Sequence, residues 1–188
     1  MSESYTTQNE LILGRLIEFY NKNNFENIKN ILNIINGESH ISLRLIDWFV
    51  TNYAKKNCTQ YIVEKKQQKM MFKVHKEYKL KLRSYKKRRF DPFCRWERIT
   101  IPYENNTTVQ TTIGQLNFFE WALQNNIIDY IKENLNEIEK DMNKRNSTAK
   151  KKEPLEKQNK TRKKRNELSI SALKTVKREN VEIIVKFN

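Results

Sequence analysis

The run from residue 112 to residue 142 constrains this chain most. Leu116, Phe119, Trp121, Leu123, Ile127, Ile131, Leu135 and Met142 recur at near-helical spacing along it. Thr112 with Gln115 three positions on is a capping-box start. The spacing predicts one long helix, and a helix this apolar must be covered by other elements. Three shorter helices are available to cover it. Residues 9–22 place Leu11, Leu13, Leu16, Ile17 and Tyr20 on one side. Residues 24–35 do the same with Phe25, Ile28, Ile31, Leu32 and Ile35, and Asn36-Gly37 supplies a stop. Residues 39–56 turn Leu43, Ile46, Phe49, Val50 and Tyr53 inward.

Between the helical runs the period changes. Tyr61-Ile62-Val63 and residues 70–75 (MMFKVH) read as short strands, as does RITIPY at 98–103, where Pro102 assigns it to an edge or a strand end. Residues 104–107 form a turn that returns through Val109. Residues 76–89 satisfy both periods. Alternation stops after Leu82, however, and Lys and Arg suit a helix, so a helix is expected there. Residues 181–187 (VEIIVKF) read as a strand that must return to a sheet. The expected class is α+β: N-terminal helices, a small antiparallel sheet, one long helix and a C-terminal strand joining the sheet. Residues 1–145 form the folded core on this reading. Residues 146–166 are a flexible basic linker, too poor in apolar side chains to order itself, and 167–188 pack back on the core. One internal echo, LIDWFVTN at 45–52 against FFEWALQN at 118–125, fits two similar core helices as well as a duplication.

Charge narrows the function. The formal net charge is +15, and two segments carry it. Between Lys69 and Arg98 there are 12 basic and 3 acidic residues; between Lys150 and Arg165 there are 9 and 2. The remainder is close to neutral, as in an ordinary globular domain. A concentrated field of this sign favours a polyanion. In the first segment Lys79, Arg83, Lys86, Lys87, Arg88 and Arg89 precede the turn FDPFCRW, where Asp91-Pro92 ends the helix and Phe90 and Phe93 pin the turn. Arg95 and Arg98 flank Trp96, so that a guanidinium could stack on a ring or hold a phosphate. The bland alternative is a solvated helix with Asp91 pairing an arginine. In the second segment Lys150, Lys151, Lys152, Arg162, Lys163, Lys164 and Arg165 form two clusters. They suit a disordered arm on nucleic acid or a bipartite import signal.

Other chemistry is thinly represented. Three glycines cannot build a phosphate-cradling loop. No serine sits in a nucleophile elbow. His40, His75, Cys58 and Cys94 lack finger-like spacing, so no metal is expected. Cys94 reads as a small buried hydrophobe, and two thiols make no disulfide framework. Asp47 and Glu120 each precede a Trp on an apolar helix, where capping or a buried ion pair explains them. No enzyme activity and no cofactor are expected. Apolar runs are too short for a membrane span, and the N-terminus does not read as a signal peptide, so an intracellular protein is expected.

Four blocks occur in one order: SLRLIDWFVTNYAKKN (42–57), SYKKRRFDPFCRWERI (84–99), TTIGQLNFFEWALQNNIIDYI (111–131) and RKKRNELSISALKTVKRENVEIIVKF (162–187). Together they resemble an uncharacterised protein family of nucleocytoplasmic large DNA viruses, in mimivirus-like, phycodnavirus-like and iridovirus-like lineages. The resemblance implies a viral protein of the infected cell, in a cytoplasmic factory or the nucleus, with packaging in the virion open to it. It carries no activity. The function expected from the residues is non-enzymatic, phosphate-directed binding of nucleic acid, DNA before RNA. The alternative is a structural or scaffold protein of virion or factory, able to self-associate, whose basic surface meets an acidic protein.

Overall fold

The computed structural model describes residues 7–21, 26–65, 67–103, 107–150 and 178–180, with side chains placed up to residue 145. Helix α1 (Gln8–Asn21) and α2 (Glu26–Ile35) open the chain. Helix α3 (Leu43–Trp48) starts on Ser42, whose Oγ accepts from the Leu45 N–H at 3.2 Å. It passes into a π-helical turn, Phe49–Tyr53, and a last short α-helical piece, α4 (Ala54–Lys56). Strands β1 (Gln60–Lys65) and β2 (Gln68–Lys73) form an antiparallel hairpin with Tyr61 opposite Phe72. β2 runs directly into α5 (Val74–Tyr85), which begins two residues earlier than the sequence pattern suggested. A 3-10 turn (Lys87–Arg89) follows. Next come β3 (Ile99–Pro102) and β4 (Thr107–Thr111), then α6 (Ile113–Gln124), α7 (Ile127–Glu133) and α8 (Leu135–Lys150). The described chain closes with β5 (Arg178–Asn180).

The class is α+β, as expected, but the strands make two sheets rather than one. β1–β2 stands alone, and β3–β4–β5 is a second antiparallel sheet in that order. Pro102 ends the edge strand β3, where a residue without an N–H does no harm. β5 pairs with β4 from Asn180 opposite Thr107 to Arg178 opposite Val109, so the C-terminal region does return to the sheet. Residues 181–187, read as the strand itself, lie outside the described residues. So do 151–166 of the expected linker, while the α8 backbone is helical to Lys150.

The expected long helix is three helices, and asparagines mark both breaks. The Asn125 side chain donates to the Trp121 carbonyl at 2.6 Å, and Asn126 takes a left-handed conformation (φ 53°). Asn134 repeats the capping on the Tyr130 carbonyl at 2.9 Å. The apolar spacing runs through both breaks, so periodicity alone could not see them. Of the three, α6 is the centre of the fold. Gly114 through Ala122 are all buried, the pattern of a helix covered on every side. The Tyr20 hydroxyl of α1 donates to the Leu116 carbonyl at 2.8 Å, and Trp121 meets the rings of Phe72, Tyr78 and Phe90 at 5.5–6.1 Å.

A candidate nucleic-acid interface

The basic segment is built on α5. Val74 and Tyr78 are buried, Leu82 and Tyr85 pack against the core, and the opposite face carries Lys76, Lys79, Leu80 and Arg83 into solvent. Tyr78 and Tyr85 meet the Phe90 ring at 5.9 and 6.1 Å, which fixes how the helix enters the turn. The junction is abrupt. Lys86 has φ 61° and ψ 164°, a region that side chains rarely occupy. It redirects the chain into the 3-10 turn, so that Lys86, Lys87 and Arg88 are exposed beside the helical row.

The turn itself is a clasp between two parts of the sequence. Phe90, Asp91, Pro92, Phe93 and Cys94 are all buried. The Asp91 carboxylate accepts from the Phe93 N–H at 3.2 Å and takes two bonds from Arg95, Nε at 2.7 Å and Nη2 at 2.8 Å. The N-terminal end of α6 grips the same turn. The Asp91 N–H donates to the Gly114 carbonyl at 3.1 Å, Gln115 Nε2 to the Pro92 carbonyl at 2.9 Å, and Asn117 Nδ2 to the Arg89 carbonyl at 2.9 Å. Gln115 therefore does not close a capping box. Thr112 Oγ1 caps the helix by accepting from the Gln115 N–H at 3.1 Å, but the Gln115 side chain is spent on the turn and on Thr111. A Cβ at Gly114 would lie 2.8 Å from the Arg88 carbonyl oxygen, so glycine sets how closely the two parts approach.

These contacts divide the sequence-derived cations. Arg95 is bound bidentate to Asp91 with its guanidinium over the Phe93 ring at 5.0 Å, and is part of the turn. Arg89 donates to Asn9 Oδ1 at 2.8 Å and Gln8 Oε1 at 2.6 Å, tying the turn to α1. Arg98 reaches Gln110 Oε1 at 3.3 Å across β3 and β4. Arg88 lies over the Trp96 ring at 5.6 Å. The side chains of Lys79, Arg83, Lys86 and Lys87 make no hydrogen bond, ion pair or ring contact among the described residues, and they are exposed. Lys76 extends the row by one turn and was absent from the sequence-derived set, although its three-residue spacing from Lys79 is a readable signal. Lys150 ends α8, its side chain outside the described residues, as are Lys151, Lys152, Arg162, Lys163, Lys164 and Arg165 entirely.

Two carboxyls sit deeper. Glu120 pairs with Arg15 at 2.8 Å, while burial, the strongest influence on it, pushes its pKa up. Asp47 has no such pair among the described residues. Burial, with Asp91 nearby adding to it and Arg95 opposing, pushes its carboxyl up to about 6. His40, His75, Cys58 and Cys94 do not converge: His75 Nδ1 lies 3.1 Å from the Val50 carbonyl, Cys94 is buried and Cys58 exposed. No group of three metal-ligating side chains occurs among the described residues. Among them, too, no helix is long and apolar enough to cross a membrane.

Beside the row lies a cleft of about 540 Å³ between the start of α1, the 85–89 segment and the 96–99 strand approach. Leu13, Tyr85, Ile99 and Ile113 line it together with Trp96; Lys86, Arg88 and Arg89 contribute its cations, and Glu10 and Glu97 add two carboxylates. Nothing in the sequence pattern brings residues 7–13 to this place; Trp96 and the cations Lys86, Arg88 and Arg89 were readable.

The chain belongs to a family of unknown function, DUF7197, whose model matches residues 1–186. It is 42% identical over 157 residues to the uncharacterized protein L507 of Acanthamoeba polyphaga mimivirus, an alignment covering 81% of this chain and 60% of that relative. The chain thus spans well under two thirds of the relative's length. A viral setting, in the infected host cell, follows from this likeness. No solved structure matches the chain.

Proposed function

We propose that this family member binds nucleic acid, DNA in preference to RNA, through phosphate contacts and without catalysis. The observation that supports the reading is the exposed, internally unpaired row Lys79, Arg83, Lys86 and Lys87, extended by Lys76 on one side and Arg88 on the other. Lys76, Lys79 and Arg83 are successive positions on one helix face, about 10 Å from end to end at the rise of an α-helix. That length spans a few phosphates of one strand. Side chains already bound within a protein give up those bonds to reach a phosphate, whereas these give up only water. Arg89 and Arg95 are therefore assigned to the fold, and Arg98 to the margin. A reach of this kind fits a large-DNA-virus protein working in a cytoplasmic factory or the nucleus, and the basic 150–165 segment would add a second, independent hold.

Fluorescence anisotropy with labelled duplex and single strands, titrated with salt, tests this on the full chain. About five engaged cations predict that log K falls with log salt at a slope of roughly −4 to −5 on duplex. Reversing Lys79, Arg83 and Lys87 to glutamate should weaken binding about a hundredfold. Binding unaffected by the reversal, or absent at low salt, overturns the reading. A second reading has one observation behind it. Ile62 and Met71 face each other across the β1–β2 hairpin and are 61% and 57% exposed, as a protein-contacting surface would be. A scaffold role predicts self-association, or an acidic protein partner, that nuclease leaves intact.

A further inference from the structure

We propose that the cleft beside the basic row holds one unstacked nucleotide, so that the surface selects single-stranded over duplex nucleic acid. This rests on the nucleic-acid reading above and deepens it. Trp96 is 39% exposed, although Phe90 and Phe93 of the same turn are 2% and 6% exposed. A tryptophan left open in an otherwise buried aromatic turn is available to a planar partner. Its neighbour Arg88, 5.6 Å from the ring, adds a second flat, cationic surface. The space is of the size small ligands occupy, about 540 Å³; Leu13, Ile99 and Ile113 give its lining an apolar share, and Glu10 and Glu97 leave the three cations a net charge of only +1 there. A base can stack there while its phosphate meets Lys86, which lines the cleft and also ends the α5 row. Lys86 thereby joins the two features, and its unusual backbone, φ 61°, is what aims the segment. Bases in a duplex are stacked and paired, and cannot enter such a cleft without being turned out. A single strand lays its phosphates on the row and offers its bases freely.

The test uses the full chain, a labelled 12-nucleotide strand, the duplex of the same sequence, and free dAMP. Trp96→Ala should lower single-strand affinity about tenfold and leave duplex affinity within twofold, with Trp96→Phe restoring most of the loss. Tryptophan fluorescence quenched by the strand should lose that quenching in Trp96→Ala. An equal effect on both forms, or none on either, overturns the cleft as a base site. Quenching by dAMP with no single-strand preference overturns the strand in favour of a free nucleotide. Thermal unfolding of Trp96→Ala checks that the turn survives, and Ile113→Trp, which fills the cleft from α6, must reproduce the selective loss. If neither strand nor duplex binds the unmutated chain, the broader nucleic-acid reading fails, and the dAMP arm alone decides whether the cleft takes a base.

Discussion

Two sets of cations, a few residues apart in one stretch, meet opposite fates. Arg89 and Arg95 are held by Gln8, Asn9 and Asp91, while Lys79, Arg83, Lys86 and Lys87 stand in solvent without a partner among the described residues. All six look alike in a charge count. What separates them is whether a partner lies within reach: Gln8 and Asn9 of α1 for Arg89, and the buried Asp91 for Arg95. Asp91 is 3% exposed and would be a naked charge without Arg95. The lysines of α5 sit over an aromatic face that asks nothing of their ammonium groups. A dense basic segment is thus two things at once, a stitched turn and a free surface, and only the second is offered to an anion.

The largest test of that division is Asp91→Ala. It strands the Phe93 N–H and the Arg95 guanidinium, and should cost about 3 kcal/mol, read as a lower denaturant midpoint. Next is Asp47→Asn, which acts on the same turn through charge. The folded pKa of Asp47 is raised to about 6 from 3.8, so folding favours its protonated form. Its contribution is fully present below about pH 4 and is lost as pH rises through about 6. Asp47→Asn should therefore be more stable than the parent at pH 7.5, by about 2 kcal/mol, and the gain should vanish by pH 4. A gain that persists at low pH would mean that packing, not ionisation, is at work. Gly114→Ala should cost about 1–2 kcal/mol, because its methyl meets the Arg88 carbonyl while its helix propensity gives a little back. The smallest effect belongs to the free set. Lys79→Glu with Arg83→Glu should change the thermal midpoint by no more than about 0.5 kcal/mol allows, although binding falls. A large stability loss there would erase the distinction between the two sets.

Element types were largely legible because each rests on local spacing: Ser42 and Thr112 cap as their positions suggest, Pro102 ends an edge strand, and the apolar faces of α2, α3 and α5 point inward; on α1 Leu13, Leu16 and Tyr20 do, while Leu11 is 59% exposed and Ile12 and Phe19 pack in its stead. Boundaries were less so. The Gln124-Asn125-Asn126 triplet is a breaker signal overridden in the reading by apolar residues on either side, and β2 ends where Val74 turns from an alternating to a helical neighbourhood. In the echoed segments, Glu120 found its ion pair in Arg15, while Asp47, at the matching position, has none among the described residues; the difference lies in what packs against them from elsewhere in the chain. The free and the stitched cations could not be separated for the same reason. Arg95 pairing Asp91 is a four-residue relation that sequence can raise, but Arg89 bonding Asn9 crosses 80 positions. The cleft is the extreme case, assembled from residues 7–13, 85–89, 96–99 and 113.

The clasp between the FDPF turn and α6 has a consequence for how the chain is made. Its bonds join residues only 23 to 28 positions apart, with the β3–β4 hairpin between them. Closing so short a loop costs little entropy compared with long-range contacts. On the ribosome, the turn and the first half of α6 can engage before α7 and α8 have left the exit tunnel. The surface that carries the free cations would then take shape before the last two helices, α7 and α8, are free to pack.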